Sequence, residues 1–388
     1  MEQLDTLSRE DIRRVQLCKL NRLLLREKER GGFYKDLPEH LESLEQLREL
    51  PFTTEEDLIQ NGNRMVLLSQ SEIDRVRTEE TSGTTGMSKR IFYSDRDNER
   101  TISFFAAGLS ELVREGEKTM ICMPFSGHHG LGELIAEAIR RLGAFPVEAG
   151  IGRTYEELSR ILKEERPETF VGMPVPLLSM LRLCPGCSLK RALVSADACP
   201  VTVMEELERL LGSRLYPHYG SRETGLGGAV TCPGFAGMHL RENDIIAEIV
   251  DEAGQALPPG TWGELVITTI EAEAMPLIRY RTGDHARILP EDCPCRSSLC
   301  RLDRVTRLGE KGSMAKLDEV MLRFPQVVDY RAFAEEEELL IEGYLMDEEQ
   351  EFPEKWEGYP VRYRWTRASG QDTPCYPAKR RILPGRNK

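Results

Sequence analysis

Thr81-Ser82-Gly83-Thr84-Thr85-Gly86-Met87-Ser88-Lys89 crowds short hydroxyl side chains, two glycines and one lysine into nine positions. Glycines let a backbone come close to a ligand and turn its N–H groups toward it, hydroxyls add donors, and lysine adds charge. That combination suits a polyphosphate. It is not the P-loop pattern, because Lys89 follows Ser88 and precedes Arg90 where that pattern needs glycine before and serine or threonine after. On composition alone an ordinary polar loop is the competing reading.

Two further motifs lie downstream. His218-Tyr219-Gly220-Ser221-Arg222-Glu223 and Tyr280-Arg281-Thr282-Gly283-Asp284 follow the loop in order, and Leu50-Pro51-Phe52-Thr53 precedes it. Together they resemble the adenylate-forming acyl- and aryl-CoA synthetases, and most narrowly the phenylacetate-CoA ligase branch with its adenylyltransferase-like relatives. The likeness runs from about residue 15 to 330. It departs from the family pattern at Ser88 (usually proline), at Arg222 (usually threonine) and at Arg304 (commonly acidic).

The resemblance implies ATP-dependent activation of a carboxylate as an acyl-AMP, with transfer to CoA or a carrier thiol. It implies that Thr81, Ser82, Gly83, Thr84, Thr85, Gly86 and Lys89 cradle phosphates, and that Glu223 holds Mg²⁺. Tyr219, within His218-Tyr219-Gly220-Ser221, stacks on adenine. Ser195, Ala196 and Asp197 supply an adenine contact, Asp284 accepts from the ribose hydroxyls, and Arg301 reaches ribose or phosphate. Arg222 contacts phosphate in place of the family threonine. Phe125, His128 and His129 stand beside the acyl group. Lys379, in Pro377-Ala378-Lys379-Arg380-Arg381, matches the lysine that clamps the carboxylate during adenylation. Two alternatives stay open: an adenylyltransferase that moves AMP to a hydroxyl, and a nucleotide-binding regulator without turnover.

Outward from the motifs, strands and helices alternate between residues 100 and 218, which implies a parallel sheet with crossover helices. Ile245–Val250 and Gly263–Thr269 around Pro258-Pro259-Gly260 read as antiparallel strands. The expected fold is α/β: a large adenylate-forming domain over residues 1–300, with parallel sheets, helices and an antiparallel, barrel-like subdomain. A small, shortened α+β domain follows over residues 301–388. The acidic stretch Ala334–Phe352 reads as a solvated face.

Fifty-two basic and 65 acidic residues give a net charge of −13, which disfavours a protein that coats nucleic acid or anionic membrane. No apolar run approaches the roughly 18 residues of a membrane helix, and ten cysteines in 388 residues are too dilute for a disulfide scaffold. A cytoplasmic protein with reduced thiols is expected, and a homodimer is compatible. Cys232, His239, Cys293 and Cys295 form two pairs of soft ligands that suit a structural zinc, and some phenylacetate-ligase-like proteins carry Cys and His in comparable loops. Cys184-Pro185-Gly186-Cys187 reads as a turn with buried thiols.

Overall fold

The computed structural model describes residues 6–80, 88–125, 127–308, 314–347, 351–368, 373–376 and 380–385. The chain forms two compact units, Met1–Glu111 with His218–Leu308, and Leu112–Pro217 with Gly309–Lys388. This grouping differs from the expected division at residue 300. The reason lies in the core of the second unit, where Val327, Val328, Tyr330 and Ile341 are buried together with Leu177, Leu178, Met180 and Phe170. The late residues therefore complete an earlier core.

In the first unit, the helix Arg9–Arg30 begins at Ser8, whose hydroxyl accepts from the Asp11 N–H, and ends at Gly31 in the left-handed region. It is held to the unit by polar contacts: Arg9 pairs with Glu242 at 2.5 Å, and Lys19 Nζ donates to the Asn243 carbonyl at 2.8 Å. Strands Arg75–Glu80 and Ser88–Tyr93 pair antiparallel on either side of the phosphate-loop sequence. Ile245–Val250 and Gly263–Thr269 pair antiparallel, as the turn chemistry predicts, and Tyr280–Ala286 and Thr306–Arg307 extend them to a four-stranded sheet. Residues His218 and Tyr219 pair with Val230 and Ala229, and the ladder continues through Met238–Leu240 to Arg301–Leu302.

In the second unit, Lys118–Cys122, Phe145–Glu148, Thr169–Gly172 and Arg191–Val194 make the parallel ladder read from the sequence, closed by Tyr216 and Pro217 against Leu193 and Val194. The helix Pro174–Leu183 was not legible, because Pro174 and Pro176 look like breakers. They fall in its first turn, where a missing N–H costs nothing. The helix Met314–Met321 leads into a five-stranded sheet built on Val327–Ala334, Leu339–Leu345 and Tyr359–Arg367. The acidic stretch is thus no simple solvated face. Leu339, Leu340, Ile341 and Leu345 of its strand are buried, and Glu335 and Glu338 pair with Arg362 at 2.7 Å each.

Buried charge ties this unit together. Arg380, with a side chain 7% exposed, pairs with Asp318 at 2.8 Å and Asp329 at 2.7 Å. Tyr155 donates to Asp329 at 2.7 Å and Tyr330 to Asp318 at 2.6 Å. Further bonds cross from the early to the late residues: Ser179 Oγ donates to the Val328 carbonyl, and the Val201 and Thr202 amides donate to Glu319. No helix among the described residues is long and apolar enough to cross a membrane.

Glu27 gives the first unit a pH dependence. Its side chain is buried, Oε2 accepts the Tyr34 N–H at 3.3 Å, and Oε1 has no hydrogen-bond partner. Burial pushes its carboxyl up to about 7, with Arg26 only partly opposing. The native state then keeps a proton that the unfolded state loses near pH 4.5, so stability falls between about pH 4.5 and 7 and is flat above. Glu27→Gln is expected to melt like the parent near pH 4 and a few degrees above it at pH 8, as read by thermal unfolding across pH. Identical pH profiles for the two proteins would count against this assignment.

Candidate functional site

The residues of the first unit that carry chemistry come from three local devices. The first is the strand Ser88–Tyr93, which buries Lys89. The second is a tight loop after Tyr219, closed by reciprocal bonds: the Ser221 N–H donates to Thr224 Oγ1 at 2.9 Å and the Thr224 N–H to Ser221 Oγ at 3.3 Å. Gly220 is required here, since a Cβ would lie 2.3 Å from the Leu226 carbonyl oxygen. The third is a bulge. Between the pairs Val266↔Arg281 and Glu264↔His285, two steps on one strand (266 − 264) face four on the other (285 − 281). Gly283 takes φ +68° in that bulge, its N–H donates to Glu264, and Asp284 is re-aimed.

These devices bring Lys89, Glu223, Tyr219 and Asp284 into two linked pairs. Lys89 Nζ lies 2.8 Å from Glu223 Oε1 and 3.0 Å from Glu55 Oε1, and the Lys89 and Glu223 side chains are 9% and 8% exposed. Burial alone would lower the Lys89 pKa, but Glu223 and Glu55 outweigh it and hold it up at about 12. Burial alone would raise Glu223, and Lys89 holds it below its ordinary value. Asp284 accepts from Tyr219 at 2.8 Å and pairs with Arg307 at 3.0 Å. Tyr280 donates to Glu223 at 3.4 Å.

Glu55, Tyr280 and Arg307 are the site residues that sequence reasoning passed over. Tyr280 opens a motif already quoted, and Arg307 lies six residues after Arg301, on the strand paired with Asp284. Glu55 sits in the first turn of a helix capped by Thr54 and carries no local signal.

The other expected residues are placed as follows. Thr81 to Gly86 and Lys379 lie outside the described residues. His218 is buried between Phe104 and Phe105, at 5.9 and 5.4 Å between ring centroids, and burial lowers it to about 4, so it is a neutral packing group. Arg222 accepts from the Tyr93 hydroxyl through its carbonyl at 2.7 Å, and the residue lines a cleft with Arg100, Arg241 and Asp244. In the second unit, Phe125 covers Gly132 at the start of the helix Leu131–Arg141, and the His128 and His129 rings lie 3.9 Å apart. Ser195 is buried at the end of Arg191–Val194, and Ala196 takes φ +68°, a strained value for a residue with a Cβ. Asp197 accepts from the Ala198 and Arg380 amides at 2.9 Å each, and burial raises its carboxyl to about 6.

Arg301 is turned away from this group. It is 3% exposed and its guanidinium donates to the carbonyls of Ala236 and Glu291. Those residues belong to the two loops that bear the cysteines. Cys232, His239, Cys293 and Cys295 converge, with all four ligand atoms within 4.8 Å of one another. Cys232 Sγ is 3.5 Å from Cys293 Sγ, and Cys295 Sγ is 3.3 Å from His239 Nε2. The loops share one design. Cys232-Pro233-Gly234-Phe235 and Cys293-Pro294-Cys295-Arg296 each close with an N–H donating to the first cysteine's carbonyl at 2.9 Å, and Phe235 and Arg296 both take positive φ. The Gly234 N–H donates to Cys232 Sγ at 3.3 Å.

Comparison with known proteins follows this geometry. The AMP-binding enzyme family matches residues 81–271. The phenylacetate-coenzyme A ligase of Thermus thermophilus is 28% identical over 360 residues, 84% of this chain and 79% of that protein. The phenylacetate-coenzyme A ligase of Escherichia coli is 29% identical over 281 residues, 69% of this chain and 63% of that protein. Among solved structures, 2-hydroxyisobutyryl-CoA ligase in the postadenylation state, in complex with 2-HIB-AMP, superposes with a TM-score of 0.79 at 18% identity. The match covers 99% of this chain and 91% of that one, and it supports the fold.

Removing one member of a buried ion pair leaves the other charge stranded, at a cost of about 3–5 kcal/mol. Lys89→Met is expected to lose about that much by urea unfolding at pH 7, and Lys89→Met with Glu223→Gln to recover most of it. The pair's contribution should be level across neutral pH. It should be lost in acid, as pH falls through the depressed Glu223 pKa, and in base, as pH rises toward 12, where Lys89 deprotonates. A double variant no more stable than Lys89→Met would refute the coupling.

Proposed function

We propose, from the chain's match to the adenylate-forming superfamily and its phenylacetate-CoA ligase-like branch, that it is an ATP- and Mg²⁺-dependent acid–thiol ligase. Its substrate is a small aromatic carboxylate, and CoA or a carrier thiol accepts the acyl group. The observation that carries this reading is the meeting of Lys89 and Glu223 at 2.8 Å, which joins the charged ends of two of the three motifs.

In the first half-reaction a carboxylate oxygen attacks the α-phosphorus of ATP and the bond to pyrophosphate breaks. In the second, the thiol sulfur attacks the acyl carbon, AMP departs with the C–O bonding electrons, and the thiol proton passes to solvent. Such chemistry rests on positioning and on neutralising phosphate charge. Lys89 stays charged at every physiological pH and exchanges Glu223 for a phosphate oxygen. Glu223, kept ionised, would hold Mg²⁺ as a hard oxygen ligand, and the ion would supply charge neutralisation at the α-phosphate. Asp284 accepts from the ribose hydroxyls, and Tyr219, its hydroxyl engaged by Asp284, keeps a ring face for adenine. By resemblance, Thr81 to Gly86 cradle the outer phosphates, Arg222 adds charge, Ser195 to Asp197 contact adenine, Phe125, His128 and His129 face the acyl group, and Lys379 clamps the carboxylate.

The reading includes one structural zinc. Thiolate sulfurs about 2.3 Å from a tetrahedral zinc stand about 3.8 Å from one another, and the contacts of 3.5 and 3.3 Å in the Cys/His cluster fit that scale. Cytoplasmic residence, where thiols are kept reduced, belongs to the same reading. A homodimer, with no nucleic-acid or membrane partner, belongs to the same reading.

Pyrophosphate release with a panel of aromatic and short-chain acids tests the first half-reaction, and mass-spectrometric detection of the acyl-CoA tests the second. Acid-dependent pyrophosphate with a thioester is expected. ATP binding without acid-dependent pyrophosphate would favour a regulator, and AMP transferred to a hydroxyl would favour the adenylyltransferase. Metal analysis of the purified chain is expected to find one zinc per chain, and a zinc-free folded protein would remove the metal from the reading.

A further inference from the structure

We propose that Arg301 is a positioning residue for the Cys232–His239–Cys293–Cys295 centre: its buried guanidinium ties the two metal-binding loops to each other before any ion arrives. The inference rests on the zinc assignment and goes beyond it. Arg301 stands where the family motif puts a nucleotide contact, and in this chain its donors are spent elsewhere.

The geometry is specific. Ala236 lies between Cys232 and His239 in the first loop, and Glu291 lies two residues before Cys293 in the second. One guanidinium donates to both carbonyls, Nη1 to Ala236 and Nη2 to Glu291. The backbone of Arg301 is itself fixed in register opposite His239, and its carbonyl accepts the Leu289 N–H at 2.8 Å. The first loop crosses this strand closely, since a Cβ on Gly237, at φ +95°, would lie 2.8 Å from the Leu302 carbonyl oxygen. One residue therefore braces both loops and aligns the histidine strand.

The physical reason for a guanidinium here is its rigid fork. Five N–H groups held in a plane can serve two separate carbonyls at once, while a lysine ammonium is a point donor on a flexible stem. Without the fork, the Ala236 and Glu291 carbonyls lose the shared donor that joins the two loops. The clasp thus pre-forms a ligand set that would otherwise form only on metal binding, and groups beyond the direct ligands typically change metal affinity 10- to 100-fold.

The test measures zinc affinity of the full chain by competition with a chromophoric chelator, for the parent, Arg301→Met and Arg301→Lys. Both variants are expected to take up one zinc at saturating metal with affinity 10- to 100-fold below the parent. Once loaded, both are expected to bind AMP within twofold of the parent by calorimetry, and Arg301→Lys keeps the charge should Arg301→Met fail to fold. Unchanged zinc affinity with weakened AMP binding would overturn the proposal and return Arg301 to the nucleotide. A parent chain that binds no zinc would instead defeat the metal assignment on which the proposal stands.

Discussion

Burying a lysine ammonium is unfavourable unless a carboxylate is buried with it, and Lys89 meets that condition through Glu223. The requirement reaches well beyond two side chains. To bring Glu223 there, the chain after Tyr219 must turn within a few residues, which takes the Ser221–Thr224 exchange of bonds and a residue without a Cβ at Gly220. To bring Lys89 there, the strand Ser88–Tyr93 must be pinned by its antiparallel partner and by the Tyr93 hydroxyl on the Arg222 carbonyl. Glu55 and Tyr280 complete the surroundings. The charges gathered here are thus mutually satisfied within the protein.

The second unit solves the same problem with a guanidinium in place of the ammonium. Arg380 is buried against two carboxylates, and each carboxylate takes a further donor from a buried tyrosine. Such a network is weak evidence for net stability, since desolvation offsets much of the attraction. Its value lies in uniqueness: only one placement of the helix Met314–Met321, the strand Val327–Ala334 and the residues near Arg380 satisfies every member. The Arg380 amide extends that order to Asp197, beside the strained Ala196.

Much of this was legible in the sequence. The helices Tyr155–Glu165 and Val201–Leu211 and the strands Ile245–Val250 and Gly263–Thr269 follow from period and turn residues, and the Cys/His quartet was read from its residue types. What escaped has physical causes. Prolines announce a break by their missing N–H, yet in the first turn of Pro174–Leu183 nothing is lost. Glutamates announce solvent, yet Glu335 and Glu338 pair with Arg362 in the turn before a strand that buries Leu339, Leu340, Ile341 and Leu345. Arg301 and Arg307 are six residues apart, and only the paired strands reveal which one turns to the cysteine loops and which to Asp284. The likeness of Cys232-Pro233-Gly234 to Cys293-Pro294-Cys295 was visible throughout, but its meaning lay in the matching left-handed residues that follow each turn.

The interleaving of the two units bears on how the protein is made. Each unit is assembled from two separate stretches, and the first stretch of the second unit lies between the two stretches of the first. A ribosome releases residues in order, so the parallel strands ending at Pro217 emerge long before Val327, Tyr330 and Ile341 exist to cover them. The apolar helix Pro174–Leu183 must wait through the synthesis of about 140 further residues before Val327 appears. During that interval the nascent chain depends on partial order, or on chaperones, to keep its parallel strands from finding partners in another molecule.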